Sequence, residues 1–180
     1  MTDPPSRRTL IIDTDVLGGA GESGHLHAQK LWDFLRLVLD ICHRAGVTAA
    51  LEVEWRAHAS KYAVTWQAAM AKRGKRSLLH RSAARLRKRT LAAAGDPAVR
   101  AIMEKDWHLV EGALEADKVI VSCERQARLH FARAAATVAD LRGLTWVDLN
   151  RCDPDEVKQW LHAGAAPWPE WMLAQSRGAE

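Results

Sequence analysis

Asp13 and Asp15 close the aliphatic run Leu10, Ile11 and Ile12 in the segment TLIIDTDVLGG, and Asp106 and Glu124 bracket a second segment, DWHLVEGALEADKVIVSCE. A carboxylate beside a buried apolar run is costly to desolvate, and two that close repel each other. They persist together only where a cation, hydrogen bonds or water compensates the charge. Their chemistry is that of hard-cation ligands, and the competing use of each is a helix or strand cap. Asp13 suits a ligand better than a cap because of its apolar approach. Asp106 is as good an N-cap as a ligand until its spacing of eighteen residues from Glu124 is considered. Asp15 can hydrogen-bond the turn around Gly18 and Gly19 or contact a metal, and both uses stay open.

Residues this far apart in the chain meet only if a fold gathers them. The apolar run before Asp13 reads as a strand buried on both faces, as in a parallel sheet. Residues 26–45 place Leu31, Leu35, Val38, Leu39 and Cys42 on one helical stripe, with Gly46 as its stop. A second strand is expected at 47–51, a helix from about Glu52, and another across 78–94. Asp96 and Pro97 read as N-cap and first helical residue, opening a helix that runs with a break to about Ala116. Strands are expected at 118–122 and 144–147 with a helix between them at 125–136, and Asp153, Pro154 and Glu156 open a last helix with a capping box. The expected fold is α/β: three layers, with a mostly parallel central sheet of four or five strands and a basic helical arm over residues 55–95. Residues 1–150 would form the main domain and 151–180 a C-terminal helix with a Pro/Trp tail. Ligands of such sheets bind beyond the carboxyl ends of the strands, where Asp13 and Glu124 stand, and Glu54 would lie in the first turn of the helix after the second strand.

Charge is distributed unevenly along the 180 residues. The net charge is +4, yet residues 55–95 hold eleven Lys or Arg and no acid, leaving the rest of the chain at −7. Segregation of this kind favours a polyanion partner over an ordinary solvated face. The residues expected to meet phosphates are Lys72, Arg73, Lys75, Arg76, Arg85, Arg87, Lys88 and Arg89. Cys42, Cys123 and Cys152 form no C-x-x-C pair, which argues against structural zinc and for a reducing compartment. No apolar run approaches a membrane span and residues 1–8 are too polar for a signal peptide, so a cytoplasmic location and no membrane partner are expected.

In order along the chain, these pieces resemble the PIN-domain nucleases. LIIDTDVL looks like that family's opening strand, an aliphatic run followed by Asp, a small residue, then Asn or Asp. LEVEWRAHASKYAVTW resembles its helix bearing a second acid, and DWHLVEGALEADKVIVSCE its later block, in which Asp opens an apolar-faced helix and a strand ends in Ser or Thr, one residue and an acid. The resemblance covers roughly residues 10–149. The family's last acid is usually Asp, where this chain has the longer Glu124, and Asp15 stands where Asn is common. The resemblance implies a PIN-like fold and a metal-dependent endoribonuclease that hydrolyses RNA phosphodiesters. Its catalytic residues would be Asp13, Glu54, Asp106 and Glu124, with Mg²⁺ or Mn²⁺ held by Asp13, Asp106, Glu124 and Asp15. Glu52 and Glu54 lie roughly 200° apart around a helix, so the choice of Glu54 follows from the resemblance. The partners it admits are RNA, an antitoxin-like protein and a second copy of the chain.

Ser122 is expected to orient an acid or a phosphate, since no His is paired with it to make it a nucleophile. His25, His27 and His108 read as solvated, and Cys123 as packing. Trp32, Trp66 and Trp107 read as core, and Trp168 and Trp171 as a latch or partner contact. Two rival functions remain open. The hhhDxD opening also begins haloacid-dehalogenase-like phosphatases, although Leu17 stands where Thr or Val is expected. A non-catalytic RNA-binding or scaffold domain with degenerate acids is the other.

Overall fold

The computed structural model describes residues 7–21 and 25–178. The aliphatic residues of the strands that the sequence marks as apolar are buried: Leu10, Ile11, Ile12, Val119, Ile120, Val121, Trp146 and Val147 have no exposed surface. Such strands need cover on both faces, and helices supply it. In chain order the elements are β1 (Thr9–Ile12), α1 (Thr14–Gly19), α2 (Leu26–Asp40), β2 (Arg44–Val47), α3 (Ala49–His58), α4 (Lys61–Lys72), β3 (Arg76–Leu78), α5 (Ala84–Ala92), α6 (Pro97–Lys105), α7 (Trp107–Glu115), β4 (Val119–Ser122), α8 (Arg125–Ala134), β5 (Thr145–Asp148) and α9 (Pro154–His162). The five strands form one sheet in the order β3-β2-β1-β4-β5, parallel throughout. The fold is α/β, consistent with three α/β/α layers. Caps legible in the sequence form as expected: Asp96 accepts from the Ala98 amide, and Asp153 from those of Asp155 and Glu156.

Three elements depart from sequence expectation. The second strand is Arg44–Val47, not 47–51, and Gly46 sits inside it instead of stopping a helix. A Cβ at Gly46 would stand 2.6 Å from Ile11 Cδ1 and 2.9 Å from Leu79 Cδ1, so this glycine permits close approach across the sheet. The helix before it ends at Asp40. The basic helical arm, expected as one helix from about Glu52 and another across 78–94, is two helices, an edge strand at 76–78 and a third, shorter helix at 84–92. β3 has no apolar run, and its place comes from pairing with β2 through Ala45↔Arg76, Gly46↔Ser77 and Val47↔Leu78.

The tail closes the sheet's other edge. Leu173 N–H donates to Leu144 O, Thr145 bridges Met172, and Trp171 packs edge-on against Trp160 with ring centroids 5.2 Å apart. Trp66 and Trp107 are core residues, whereas Trp32 is half-buried against Tyr62 and carries Arg36 on its ring. Among the described residues no helix is long and apolar enough to cross a membrane.

His43 is fully buried at the sheet's amino-terminal edge. Its Nδ1 accepts from the Arg8 amide at 3.2 Å, so Nε2 carries the proton donated to Leu161 O at 2.8 Å. This neutral tautomer ties β1, β2 and α9 together, and burial lowers the imidazole pKa from 6.5. A histidine with a lowered folded pKa contributes stability that is complete above the unfolded value and is lost as pH falls through it. The stability that wild type holds over His43→Gln in denaturant should therefore shrink from pH 7 to pH 5. A difference that stays constant over that range would show that His43 carries no such dependence.

Candidate functional site

The chain leaves β1 for β2 and β3 on one side and returns to β4 on the other, which makes the carboxyl edge between β1 and β4 the topological switch point. Asp13 follows β1 directly, and its amide still donates to Val121 O of β4 at 2.9 Å. Asp13 Oδ1 caps α1 by accepting from the Thr14 amide at 2.6 Å. In the first turn of α1, Asp15 Oδ2 accepts from the Cys123 amide at 2.8 Å, pinning the start of α1 to the end of β4. Of the two uses left open for Asp15, the bond to a turn at Gly18 and Gly19 does not form, and both glycines are helical. Asp15 Oδ1 is buried without a hydrogen-bond partner among the described residues.

The other acids arrive on helices. Thr48 caps α3 and starts it at Ala49, so Glu54 lies in the second turn, not the first. Trp55 locks α3 under the site by donating to Ile12 O at 3.1 Å. Asp106, 8 % exposed, ends α6 and precedes α7, yet its carboxylate makes no capping bond there. Glu124 caps α8 by accepting from the Gln126 amide at 2.8 Å. Ser122 is fully buried and accepts from Trp146 Nε1 at 2.8 Å and from the Glu124 amide at 3.3 Å, so it orients the backbone that presents Glu124.

Electrostatics join the five acids into one group. Burial, then the charge of Asp15, pushes the Asp13 carboxyl up to about 8 against the stabilising Thr14 amide, and Asp106 and Glu54 add to the rise. Burial raises Asp15 to about 6, opposed by the Cys123 and Val16 amides and reinforced by Glu124 and Asp106. Asp106 is raised by burial, opposed by Lys105 and His108, and raised further by Glu124 and Glu54. Burial also pushes the Cys123 thiol up, which fits packing and not nucleophilic use. None of Asp13, Asp15 and Asp106 forms an ion pair with a described residue.

A divalent cation suits this donor set, because hard oxygen ligands are gathered with unmet negative charge and one orphaned buried oxygen. Among the described residues no three His, Cys, Asp or Glu side chains already stand as a ready ligand group. Without a cation the acids repel, so binding would draw them closer.

The basic residues are divided by the fold. β3 runs parallel to β1, so Lys72, Arg73, Lys75 and Arg76, which immediately precede or open it, stand at the amino-terminal edge, opposite the acids. Lys75 is 7 % exposed, and its Nζ donates to Val38 O at 2.8 Å, Leu39 O at 2.7 Å and Ile41 O. It satisfies the last carbonyls of α2 and is not available to a phosphate, contrary to its expected role. Arg73 pairs with Asp40, Arg76 with Glu52, Arg87 with Glu104 and Arg89 with Asp140. Lys72, Arg85 and Lys88 are exposed and form no ion pair with a described residue. Arg85 and Lys88 lie three apart on α5, which the Arg87–Glu104 pair holds against the helix leading into Asp106.

Sequence reasoning missed three residues near this edge. His108, expected on the helix surface, is largely buried against Glu54, and Thr14 also touches that carboxylate. Asp148, 3 % exposed, ends β5, and the strand-end rule applied to Asp13 would have found it. Its Oδ1 accepts from the Asn150 amide, and its charged neighbours are Arg128, Arg151 and Lys30 rather than the acid cluster. A cleft of about 600 Å³ lies between α2 and α9, lined by residues such as Phe34, Leu37, Val157 and Leu161, and none of the five acids borders it. His25 and His27 are exposed, as expected. Comparison of the chain with protein-family models, with curated proteins and with solved structures gives no match.

Proposed function

We propose that the chain is a cytoplasmic, metal-dependent endoribonuclease of the PIN type. The observation that carries this reading is the group of five carboxylates at the switch point, among which Asp13 is held up to about 8 with no ion-pair partner among the described residues. An enzyme that needs a cation there has reason to retain such repulsion, whereas a structural core does not. Asp13, Asp15, Asp106 and Glu124 would hold Mg²⁺ or Mn²⁺. When bound, the ion supplies an acidified water and charge neutralisation at the phosphodiester. The chain's own part is to fix these oxygens: β1 and β4 carry Asp13 and Glu124 to one edge, and Cys123 N–H fixes Asp15. Glu54 stands beside them to orient a water or accept its proton.

RNA would reach the acids over α5. Phosphate contacts give affinity without base preference, and their loss reduces the salt dependence of binding. Arg85→Gln with Lys88→Gln should weaken binding to unrelated RNA sequences alike and lower the slope of log K against log salt by about 1.4, the share of two phosphates on a single strand. An unchanged slope would remove α5 from the interface. The decisive experiment incubates purified protein with mixed RNA and DNA in Mg²⁺, Mn²⁺ or chelator. Chelator-sensitive RNA cleavage supports the reading. RNA binding without cleavage under any condition would favour a non-catalytic domain, and metal-dependent phosphomonoester hydrolysis a phosphatase.

A further inference from the structure

The turn that follows β5 carries charge that the basic segment at 55–95 does not account for. Asp148 closes β5 opposite Ser122 and folds the next residues around itself: its Oδ1 accepts from the Asn150 amide at 2.9 Å, and its carbonyl from the amides of Arg151 at 3.1 Å and Cys152 at 3.0 Å. Two side chains fasten this turn to the rest of the carboxyl edge. Asn150 Nδ2 donates to Cys123 O at 2.8 Å, and Lys30 Nζ, from α2, donates to Cys152 O at 2.5 Å. Cys123 is held from both sides, its amide by Asp15 and its carbonyl by Asn150, so the turn abuts the acid cluster. Glu124 and Arg125 come next in the chain. The charged neighbours of Asp148 are Arg128, Arg151 and Lys30, and Arg125 lies near enough to Arg128 to oppose its charge. Arg128 is 8 % exposed and donates through Nε to Trp146 O at 3.1 Å, whereas Arg125 and Arg151 are exposed.

One buried carboxylate among four cations leaves a positive patch. Fastening the turn uses Asn150 and Lys30 but not the guanidinium of Arg151, which forms no ion pair with a described residue. Cations gathered against their own repulsion suit an anion, and the planar donor fork of arginine suits a phosphate. We propose that Lys30, Arg125 and Arg151 form a second phosphate site, at the carboxyl end of β5, that holds the RNA backbone beside Glu124. Asp148 and Arg128 are its buried support. That the polyanion is RNA rests on the ribonuclease reading, while the site stands on the contacts themselves. No run of basic residues marks it in the sequence, because the fold draws its members from α2, α8 and the turn after β5.

Binding measured in chelator tests the site without turnover. Arg125→Gln with Arg151→Gln should fold as the wild type does by circular dichroism, since the Asn150 and Lys30 bonds are untouched. Its affinity for an unstructured RNA oligonucleotide should fall, and the slope of log K against log salt should drop by about 1.4, the share of two phosphates on a single strand. Between about 50 and 200 mM salt the wild type should therefore lose about sevenfold more affinity than the variant. Arg151→Gln alone should take about half of that drop in slope, which keeps the test should Arg125 also contribute to folding. Lys72→Gln with Lys118→Gln removes the same charge at the amino-terminal edge and should leave the slope at its wild-type value. In RNA cleavage with Mn²⁺ the Arg125→Gln, Arg151→Gln protein should show a raised KM, with kcat at saturating RNA within about twofold. An unchanged slope in that protein, or an equal drop in the amino-edge control, overturns the site. Inorganic phosphate at constant ionic strength should leave RNA bound; displacement from the wild type but not from the variant would make this a site for free phosphate and overturn the RNA assignment. If the wild type cuts no RNA with any cation while the slope falls as expected, the ribonuclease reading fails and the phosphate site stands. If it cuts RNA and the slope does not change, the reverse holds.

Discussion

Asp13→Asn will give a folded protein that no longer cleaves RNA and that melts at a higher temperature than the wild type when no divalent ion is present. The asparagine keeps the oxygen that accepts from the Thr14 amide, so α1 retains its cap. What it loses is the charge that burial and the neighbouring acids oppose. In the folded state the Asp13 carboxyl is held up to about 8, against 3.8 unexposed to these neighbours. A raised carboxyl favours folding fully below the unfolded value, and that contribution disappears as pH rises through the folded value. The stabilisation by Asp13→Asn should therefore be absent near pH 4 and grow toward pH 8, reaching roughly 4–10 °C in Tm for a chain of this size. Mg²⁺ or Mn²⁺ should raise the Tm of the wild type by mass action and leave the variant where it was. Cleavage should fall by on the order of 10³-fold or more in kcat. Thermal melts at pH 5 and pH 8, with and without Mn²⁺, beside a cleavage assay, check each part. A variant that retains full turnover would end the ribonuclease mechanism, and one that loses turnover without any gain in metal-free Tm would show that Asp13 is not under electrostatic strain.

The second large effect lies at the opposite edge of the sheet and concerns stability alone. Lys75→Met preserves most of the aliphatic stem but withdraws the ammonium from the carbonyls of Val38, Leu39 and Ile41. Hydrogen bonds from a charged donor contribute about 1.5–3 kcal/mol each, and carbonyls left buried without a donor add their desolvation cost. Burying the ammonium costs part of that gain, so a net loss of about 3 kcal/mol is expected, which corresponds to roughly 6–12 °C in Tm. RNA affinity measured below the melting transition should not change. Lys88→Gln on α5 should behave in the opposite way, with affinity reduced and Tm unaffected. If Lys75→Met folds as well as the wild type and binds RNA less tightly, the amino-terminal edge is the nucleic-acid surface and α5 is not.

These two lysines are indistinguishable in the sequence. Both lie in the acid-free segment among other cations, and nothing within a few residues of either sets them apart. What separates them is that the last turn of α2, more than thirty residues earlier, ends beside Lys75, whereas Lys88 faces solvent on α5. The same holds for His108. Its two neighbours, Lys105 O and Glu54, come from its own helix junction and from a helix fifty residues upstream, and only the second gives it more than a surface role.

The local pattern of residues determined much of the remainder. Uninterrupted aliphatic runs at β1 and β4 demand burial on both faces, and Asp-Pro steps at residues 96–97 and 153–154 can cap and open a helix without tertiary help, so these elements and the parallel α/β class were legible before any coordinates. So was the placement of Asp13 and Glu124, because an acid after a buried strand must stand at that strand's carboxyl end. Long-range contacts decided the rest. β3 has no apolar run of its own and exists because β2 offers it an edge, and Gly46 belongs to a strand because Ile11 and Leu79 need the space its missing Cβ leaves. The division of one basic segment into a buried helix clasp, surface ion pairs and a few free cations likewise depends on partners distant in the chain, since a charge is defined by what surrounds it and sequence spacing reports only what lies beside it.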